Sequence, residues 1–241
     1  MCRAAMSMLV ILFLLLAGAT FVESNAQIAN PQVEHRHTGG HDMSGGSDRG
    51  YHRSFDNAEM WAKEFDDPAR DAWQKPDEVL DALHLERTAR VADLGAGTGY
   101  FGVLIAKRVP EGKVFAIDIE PEMVRYLRER GDHESLGVLL PVLASAESPN
   151  LPEPVDLVLV VDTYHHIDHR IAYFAKLRAS LRPNGRLAIV DFKADSPNGP
   201  PPEHRISPEK ATAELNAAGY SLVESHPFLP RQYFLVFQMK G

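Results

Sequence analysis

Between residues 90 and 192 the chain alternates strand-length runs of Val, Ile and Leu with stretches long enough for a helix. The apolar runs fall at 90–94, 114–117, 138–142, 155–161 and 187–192, and helical stretches lie at 100–108, 121–130, 169–181 and 207–218. Each apolar run is nearly continuous, the pattern of a strand buried on both faces. Parallel strands need long crossover connections, usually helical, so this alternation predicts an α/β fold with a doubly wound, mostly parallel sheet covered by helices on both sides. Two further runs, 220–225 and 233–238, follow with no helix between them. One of that pair is therefore expected to run antiparallel.

Upstream of the first run, Phe55, Trp61 and Phe65 mark an amphipathic helix that Asp67-Pro68 interrupts. Asp67 as N-cap with Pro68 in the first helical position starts another short helix, and Pro76-Asp77 starts a third. Residues 54–88 thus read as a helical cap on a domain spanning 54–241.

The chain begins differently. Residues 8–22 read MLVILFLLLAGATFV, preceded by Arg3 and followed by Glu23. A short basic start, an apolar middle and small residues at the end are the layout of an export signal. Cleavage sites are open after Ala19 and after Ala26, with the second preferred, giving a leader of 1–26. An uncleaved membrane anchor is the competing reading, because the segment stretches close to the ~20 residues that span a bilayer. Localisation is accordingly expected to be periplasmic or secreted, or membrane-anchored through this segment alone. Residues 27–53 are rich in Gly, Ser, Asp and His and include His35, His37, His41 and His52. Such a stretch buries too little apolar surface to offset its ordering entropy and reads as a disordered linker, with loose metal binding as the lesser alternative.

The 33 acidic residues against 25 Lys and Arg give a formal charge of −8. No basic patch stands out, which argues against a nucleic-acid partner. Cys2 is the single cysteine, so an internal disulfide, a thiolate metal cage and a cysteine nucleophile in the body are excluded.

The sharpest local motif is VADLGAGTGY, residues 91–100, a buried strand that breaks into glycines and opens a helix. Glycines there permit a tight turn and let a ligand touch the backbone, and the helix N-terminus presents free N–H groups to an anionic group. The string GTGYFG at 97–102 matches the dinucleotide G-x-G-x-x-G, but Asp93, two residues before Gly95, places the first turn earlier. Asp118 closes the second strand, where a carboxylate can bridge ribose hydroxyls.

With those motifs the sequence resembles the class I S-adenosylmethionine-dependent methyltransferases over about residues 79–238, including relatives that methylate quinone precursors. The resemblance implies a Rossmann-like, seven-stranded sheet with the last strand antiparallel, and S-adenosylmethionine as cofactor. DLGAGTG is similar to the family's first motif, which implies that Asp93, Gly95, Gly97 and Gly99 hold the methionine part. AIDIEPEMV at 116–124 is similar to the second, implying Asp118 on the ribose and Ile119 and Met123 flanking adenine. VDLVLVVDTYHHI at 155–167 resembles the fourth, with Asp162 beside the transfer site, and LRPNGRLAIVDF at 181–192 resembles the fifth strand and its entry turn. Many relatives carry Asp-Ala-Glu after the third strand where this chain has Ser145-Ala146-Glu147, so Ala146 and Glu147 take the adenine positions and Ser145 makes the weaker contact.

The acceptor side is expected on loops at the carboxyl ends of the strands. Tyr164, His165 and His166 follow the fourth strand. Either histidine can serve as base, with His166 preferred and Asp162 beside them as a further catalytic candidate. His165, His166, Asp168 and His169 lack a clear third ligand, and no metal site is expected. Beyond the fifth strand, His204 and Arg205 in a proline-rich loop and Tyr233 are candidate substrate contacts, and Trp61 and Trp73 are candidates to cap the site. The reading is an S-adenosylmethionine-dependent methyltransferase acting on a small-molecule acceptor, oligomeric state open. An NAD(P)-dependent oxidoreductase is the alternative. So is an exported, non-catalytic binding protein, since a leader would carry the domain away from a cofactor made in the cytoplasm.

Overall fold

The first strand is five residues long and buried almost throughout, and it ends in a carboxylate and three glycines, features that together place it at the centre of a sheet. The computed structural model describes residues 49–241. The leader and the linker histidines His35, His37 and His41 lie outside the described residues. The sheet has seven strands: β1 (Arg90–Leu94), β2 (Lys113–Asp118), β3 (Leu139–Leu143), β4 (Val155–Val161), β5 (Leu181–Phe192), β6 (Tyr220–His226) and β7 (Gln232–Met239), in the order β3-β2-β1-β4-β5-β7-β6. Neighbours among β1 to β5 pair in parallel, and β7 runs antiparallel to both β5 and β6. The doubly wound α/β sheet with an antiparallel last strand is thus present. The order reverses between β1 and β4, the switch point at which open α/β sheets bind ligands.

The helices are α1 (Ala58–Phe65), α2 (Asp71–Gln74), α3 (Pro76–Ala82), α4 (Tyr100–Arg108), α5 (Pro121–His133), α6 (Arg170–Leu177) and α7 (Pro208–Ala217). Local chemistry sets their starts. Asn57 accepts from Met60 N–H (2.9 Å), Asp67 from Ala69 N–H (2.9 Å) and Ser207 from Lys210 N–H (3.2 Å), while Pro68, Pro76, Pro121 and Pro208 occupy first turns. Asp67-Pro68 starts a 3₁₀ turn, Pro68–Arg70, that runs directly into α2.

Alternate strand residues enter two cores. Val91, Val114 and Leu157 pack beneath α3, α4 and α5, and Ala92, Phe115 and Val158 pack against α6 and α7. Burial on both faces is what the continuous apolar runs encode. Two boundaries differ from the sequence expectation by more than three residues. Helix α6 ends at Leu177, followed by a 3₁₀ turn Arg178–Ser180, and β5 begins at Leu181 rather than Leu187. Pairing of Val155 with Leu181, before a register shift, recruits that polar entry segment into the ladder.

Candidate functional site

Asp93 near the end of β1, Asp118 at the end of β2 and Asp162 just past β4 all line one cavity of about 850 Å³. The loop between the first two is held by main chain. Gly95 and Ala96 N–H both donate to Ile117 O (2.8 and 2.9 Å), and Gly97 N–H donates to Asp118 Oδ2 (2.8 Å). Gly95, Gly97 and Gly99 have φ of 79°, 55° and 92°. The requirement is sharpest at Gly95, where a Cβ would stand 2.2 Å from Thr163 Oγ1. Glycine is needed there for backbone conformation and for space at once.

Asp118 also accepts Glu120 N–H at Oδ1 (3.0 Å), and burial raises its pKa. Asp93 is 3% exposed, and its Oδ2 has no hydrogen-bond partner among the described residues. Burial, reinforced by the charge of Asp118, pushes its pKa up to about 7. A buried carboxylate oxygen left without a donor is costly, and a cation or N–H donor entering this cavity would relieve it.

Asp162 sits in left-handed backbone, φ 53°, where β4 breaks. Burial raises its pKa to about 6 against the opposing charge of Arg70. Arg70 NH2 reaches Asp162 Oδ2 at 3.2 Å, its NH1 donates to Phe65 O (2.9 Å), its Nε to Gln74 Oε1 (2.7 Å), and its guanidinium lies 4.3 Å from the centre of the Tyr100 ring. Gln232 donates its side-chain amide to the other oxygen of Asp162. The helical cap thereby reaches the floor of the site, with Phe65 and Trp73 lining the cavity. Trp61 packs instead with Phe55, Phe65 and Met123.

After Asp162 the chain makes a 3₁₀ turn, Tyr164–His166, which sends its three side chains to different places. Tyr164 is fully buried and donates to Glu214 Oε2 (2.8 Å), which also takes Arg170 Nε (2.7 Å). His165 Nδ1 lies 2.8 and 3.0 Å from the two oxygens of Asp191, and its backbone N–H donates to Asp191 Oδ2 (3.1 Å). Burial presses the His165 imidazole toward neutrality, but Asp191 and Asp162 outweigh it and hold its pKa above the ordinary value. His166 Nδ1 meets Tyr51 O, and burial together with the charge of His165 lowers its pKa to about 4. Both histidines line the cavity.

Residues 50–53, assigned from composition to the linker, lie across this turn. Tyr51 N–H donates to His165 O (2.8 Å), Gly50 N–H donates to Asp168, and His52 Nε2 lies 2.9 Å from Asp168 Oδ2. Tyr51 stacks on His166 and packs on His204, at ring separations of 5.7 and 4.8 Å. Gly50 fits because a Cβ there would come within 2.1 Å of His166 O. The linker's end at residue 53 is thus corrected. Main-chain pairing and ring contacts, invisible to a compositional reading, hold these residues in place.

Of the remaining sequence candidates, Ile119, Met123 and Ala146 line the cavity, as does Ser145, while Glu147 does not. Tyr164 and Tyr233 are corrected, because both point into the core between the sheet and α6 and α7. Tyr233 is 5% exposed, and its hydroxyl, without a partner among the described residues, has its pKa raised far above normal by burial. Arg205 is corrected as well. Its guanidinium clamps the proline-rich loop by donating to the carbonyls of Ala194 (2.7 Å), Ser196 (2.8 Å) and Pro200 (2.9 Å). His204 does not line the cavity and packs against Tyr51, which does. The sequence reading missed Arg70 and the Tyr51 segment, for which no motif exists. It also missed Asp191, which a readable signal marks: a carboxylate at the end of a buried strand, like Asp93 and Asp118. Among the described residues no group of three or more His, Cys, Asp or Glu could hold a metal ion.

A family model described as a methyltransferase domain matches residues 91–185, which span the glycine loop, Asp118, Asp162 and both histidines. Residues 91–185 are thus similar to a methyltransferase domain. The chain is similar to a malonyl-[acyl-carrier protein] O-methyltransferase of Acetivibrio thermocellus, 32% identical over 54% of this chain and 46% of that protein. It is also similar to a ubiquinone/menaquinone biosynthesis C-methyltransferase of Paraburkholderia phymatum, 35% identical over 43% of each. The chain spans about half the length of the curated relatives it matches. Among solved structures, a SAM dependent methyltransferase from Aquifex aeolicus superposes with a TM-score of 0.70 at 26% identity, over 76% of this chain and 98% of that one. The matched family and this neighbour support S-adenosylmethionine as the cofactor of the methyltransferase domain and an enzyme as its nature.

Proposed function

We propose that this chain transfers the methyl group of S-adenosylmethionine to a small-molecule acceptor. The observation that carries the reading is the buried carboxylate of Asp93, whose Oδ2 has no hydrogen-bond partner among the described residues, beside a main-chain-anchored glycine loop, with Asp118 at the end of the next strand. These residues fit the cofactor. Asp93 and the loop would hold its methionine part, Asp118 its ribose, and Ile119 and Met123 its adenine. When bound it supplies an electrophilic methyl carbon on a sulfonium. The chain's own contribution is to hold the acceptor in line, exclude water and handle the acceptor's proton. Phe65, Trp73, Tyr51, His52, Arg53 and Phe55 line the cavity and serve the exclusion of water, and Arg70 neutralises Asp162 at its floor.

Calorimetric titration with S-adenosylmethionine and, separately, with NAD(P)H tests the reading. Saturable binding of the former alone is expected, and Asp118→Ala should weaken it by about 1–3 kcal/mol, because ribose hydroxyls lose their acceptor. Binding of NAD(P)H alone would establish the oxidoreductase alternative, and binding of neither would favour a non-catalytic role. The leader supports a second, separate proposal, export or membrane anchoring through residues 1–26. N-terminal sequencing of the mature chain checks it, with a start at Gln27 expected.

A further inference from the structure

We infer that His165, oriented by Asp191, is the general base of this site, and that the acceptor is a largely apolar molecule presenting a neutral hydroxyl. The inference deepens the methyltransferase reading and rests on it. The two adjacent histidines are held in opposite ways. His165 is fixed at its backbone N–H and its ring Nδ1 by one carboxylate and at its carbonyl by Tyr51 N–H. With Nδ1–H directed to Asp191, the lone pair is on Nε2, which makes no hydrogen bond among the described residues. Asp191 stabilises the imidazolium that forms when that nitrogen takes a proton. Among the described residues His166 has no carboxylate hydrogen-bond partner and meets the carbonyl of Tyr51 instead, so protonating it beside His165 in a buried site is unfavourable. The same contrast is reached from the groups that face His165. Asp191 on β5 and Asp162 after β4 favour its cationic form, and Arg170 on α6 and His166 oppose it.

A buried base constrains the acceptor. An ionised carboxylate has no proton to lose and would leave His165 idle, whereas a neutral hydroxyl must lose its proton as its oxygen becomes an ether. In the balanced step, the hydroxyl oxygen bonds to the methyl carbon as the methyl–sulfur bond breaks with its electron pair remaining on sulfur, and the hydroxyl proton passes to His165 Nε2. Phe55, Phe65, Trp73, Ile167, Phe192 and Pro200 line the cavity, which suits an apolar body on that hydroxyl.

The test uses the full chain and two readouts that do not depend on turnover. NMR titration of the ¹⁵N-labelled imidazoles should show His165 carrying its proton on Nδ1 when neutral and titrating above an ordinary histidine, and Asp191→Asn should lower that titration by about one unit or more. With S-adenosylhomocysteine bound, 4-nitrophenol at about pH 6 should bind as its phenolate against the protonated Nε2 of His165, the ion pair that proton transfer to this base leaves, and show phenolate absorbance at least about tenfold greater than with His165→Gln. Thermal unfolding checks that both variants fold, and both should bind S-adenosylmethionine as the parent does. The inference is overturned by a His165 titration that ignores Asp191→Asn, by equal phenolate in His165→Gln, or by no phenolate with the parent chain. A parent chain that fails to bind S-adenosylmethionine overturns the methyltransferase reading instead, and the calorimetric titration shows which has failed.

Discussion

The wall of the cavity formed by β1, the glycine loop and β2 comes from one continuous stretch, residues 90–120, and is tied together mainly by main-chain groups. The opposite wall takes side chains from segments far apart in the chain: the strap at 51–53, Arg70 from the cap, His165 after β4, with Asp191 behind it, and Phe192 at the end of β5. A backbone-built wall needs particular φ values and small residues at fixed spacings, which leave a motif. A side-chain-built wall needs only that each residue arrive at the right place, which leaves almost none. The first kind suits a ligand whose shape stays constant, and the second can be refitted to a new acceptor without disturbing the loop.

The largest effect should come from breaking the main-chain wall. Gly95→Ala places a Cβ against Thr163 and forces left-handed backbone on an L residue, costing about 1–2 kcal/mol before any clash. S-Adenosylmethionine affinity should fall at least about a hundredfold, near 3 kcal/mol, in calorimetry. Wild-type affinity would mean that the loop can shift as a unit.

An intermediate effect should appear at Asp93, where the main-chain wall carries one buried side chain. Its folded-state pKa is about 7 against 3.8 for the unfolded chain. A raised pKa contributes stability that is fully present below the unfolded value and is lost as pH rises through about 7. The ligand-free chain should therefore unfold more easily at pH 8 than at pH 5. Asp93→Asn should flatten that dependence and stabilise the chain at pH 8 by about 1–3 kcal/mol, seen as thermal midpoints across pH, while weakening cofactor binding.

The smallest effect on the cofactor, and the one that sharpens the contrast most, should follow from loosening the strap. Gly50→Ala cannot keep the present approach to His166 O. Cofactor affinity should stay within about twofold, stability should change by about 0.5 kcal/mol, and the His166 titration should climb from about 4 toward the ordinary histidine value. A large loss of cofactor affinity would show that the two walls are not independent.

Much of the fold is legible in the amino-acid sequence. The strands at 90–94 and 155–161 and the helix at 100–108 agree with the structure residue for residue, because buried parallel strands and capped helices are encoded by residues near one another in sequence. The aspartates at the ends of β1, β2 and β4 were legible for the same reason, since each closes an apolar run. Tyr164, Tyr233 and Arg205 were misplaced because a tyrosine or arginine beside a site reads the same whether it faces ligand or core. Their directions are set by Glu214, by the face that β7 turns to the helices, and by loop carbonyls that only the folded chain supplies.

The sequence by itself determined the order of strands and helices, the turn that exposes the loop, and the carboxylates around it, all products of local propensity and spacing. Only the tertiary structure decided which of two neighbouring histidines is paired with a carboxylate. That choice depends on β5 lying beside β4, which brings Asp191 to His165, and on the strap returning to take His166 through Tyr51. Hydrogen bonds between residues 26 and 115 positions apart in the chain make the difference, and no local rule encodes them.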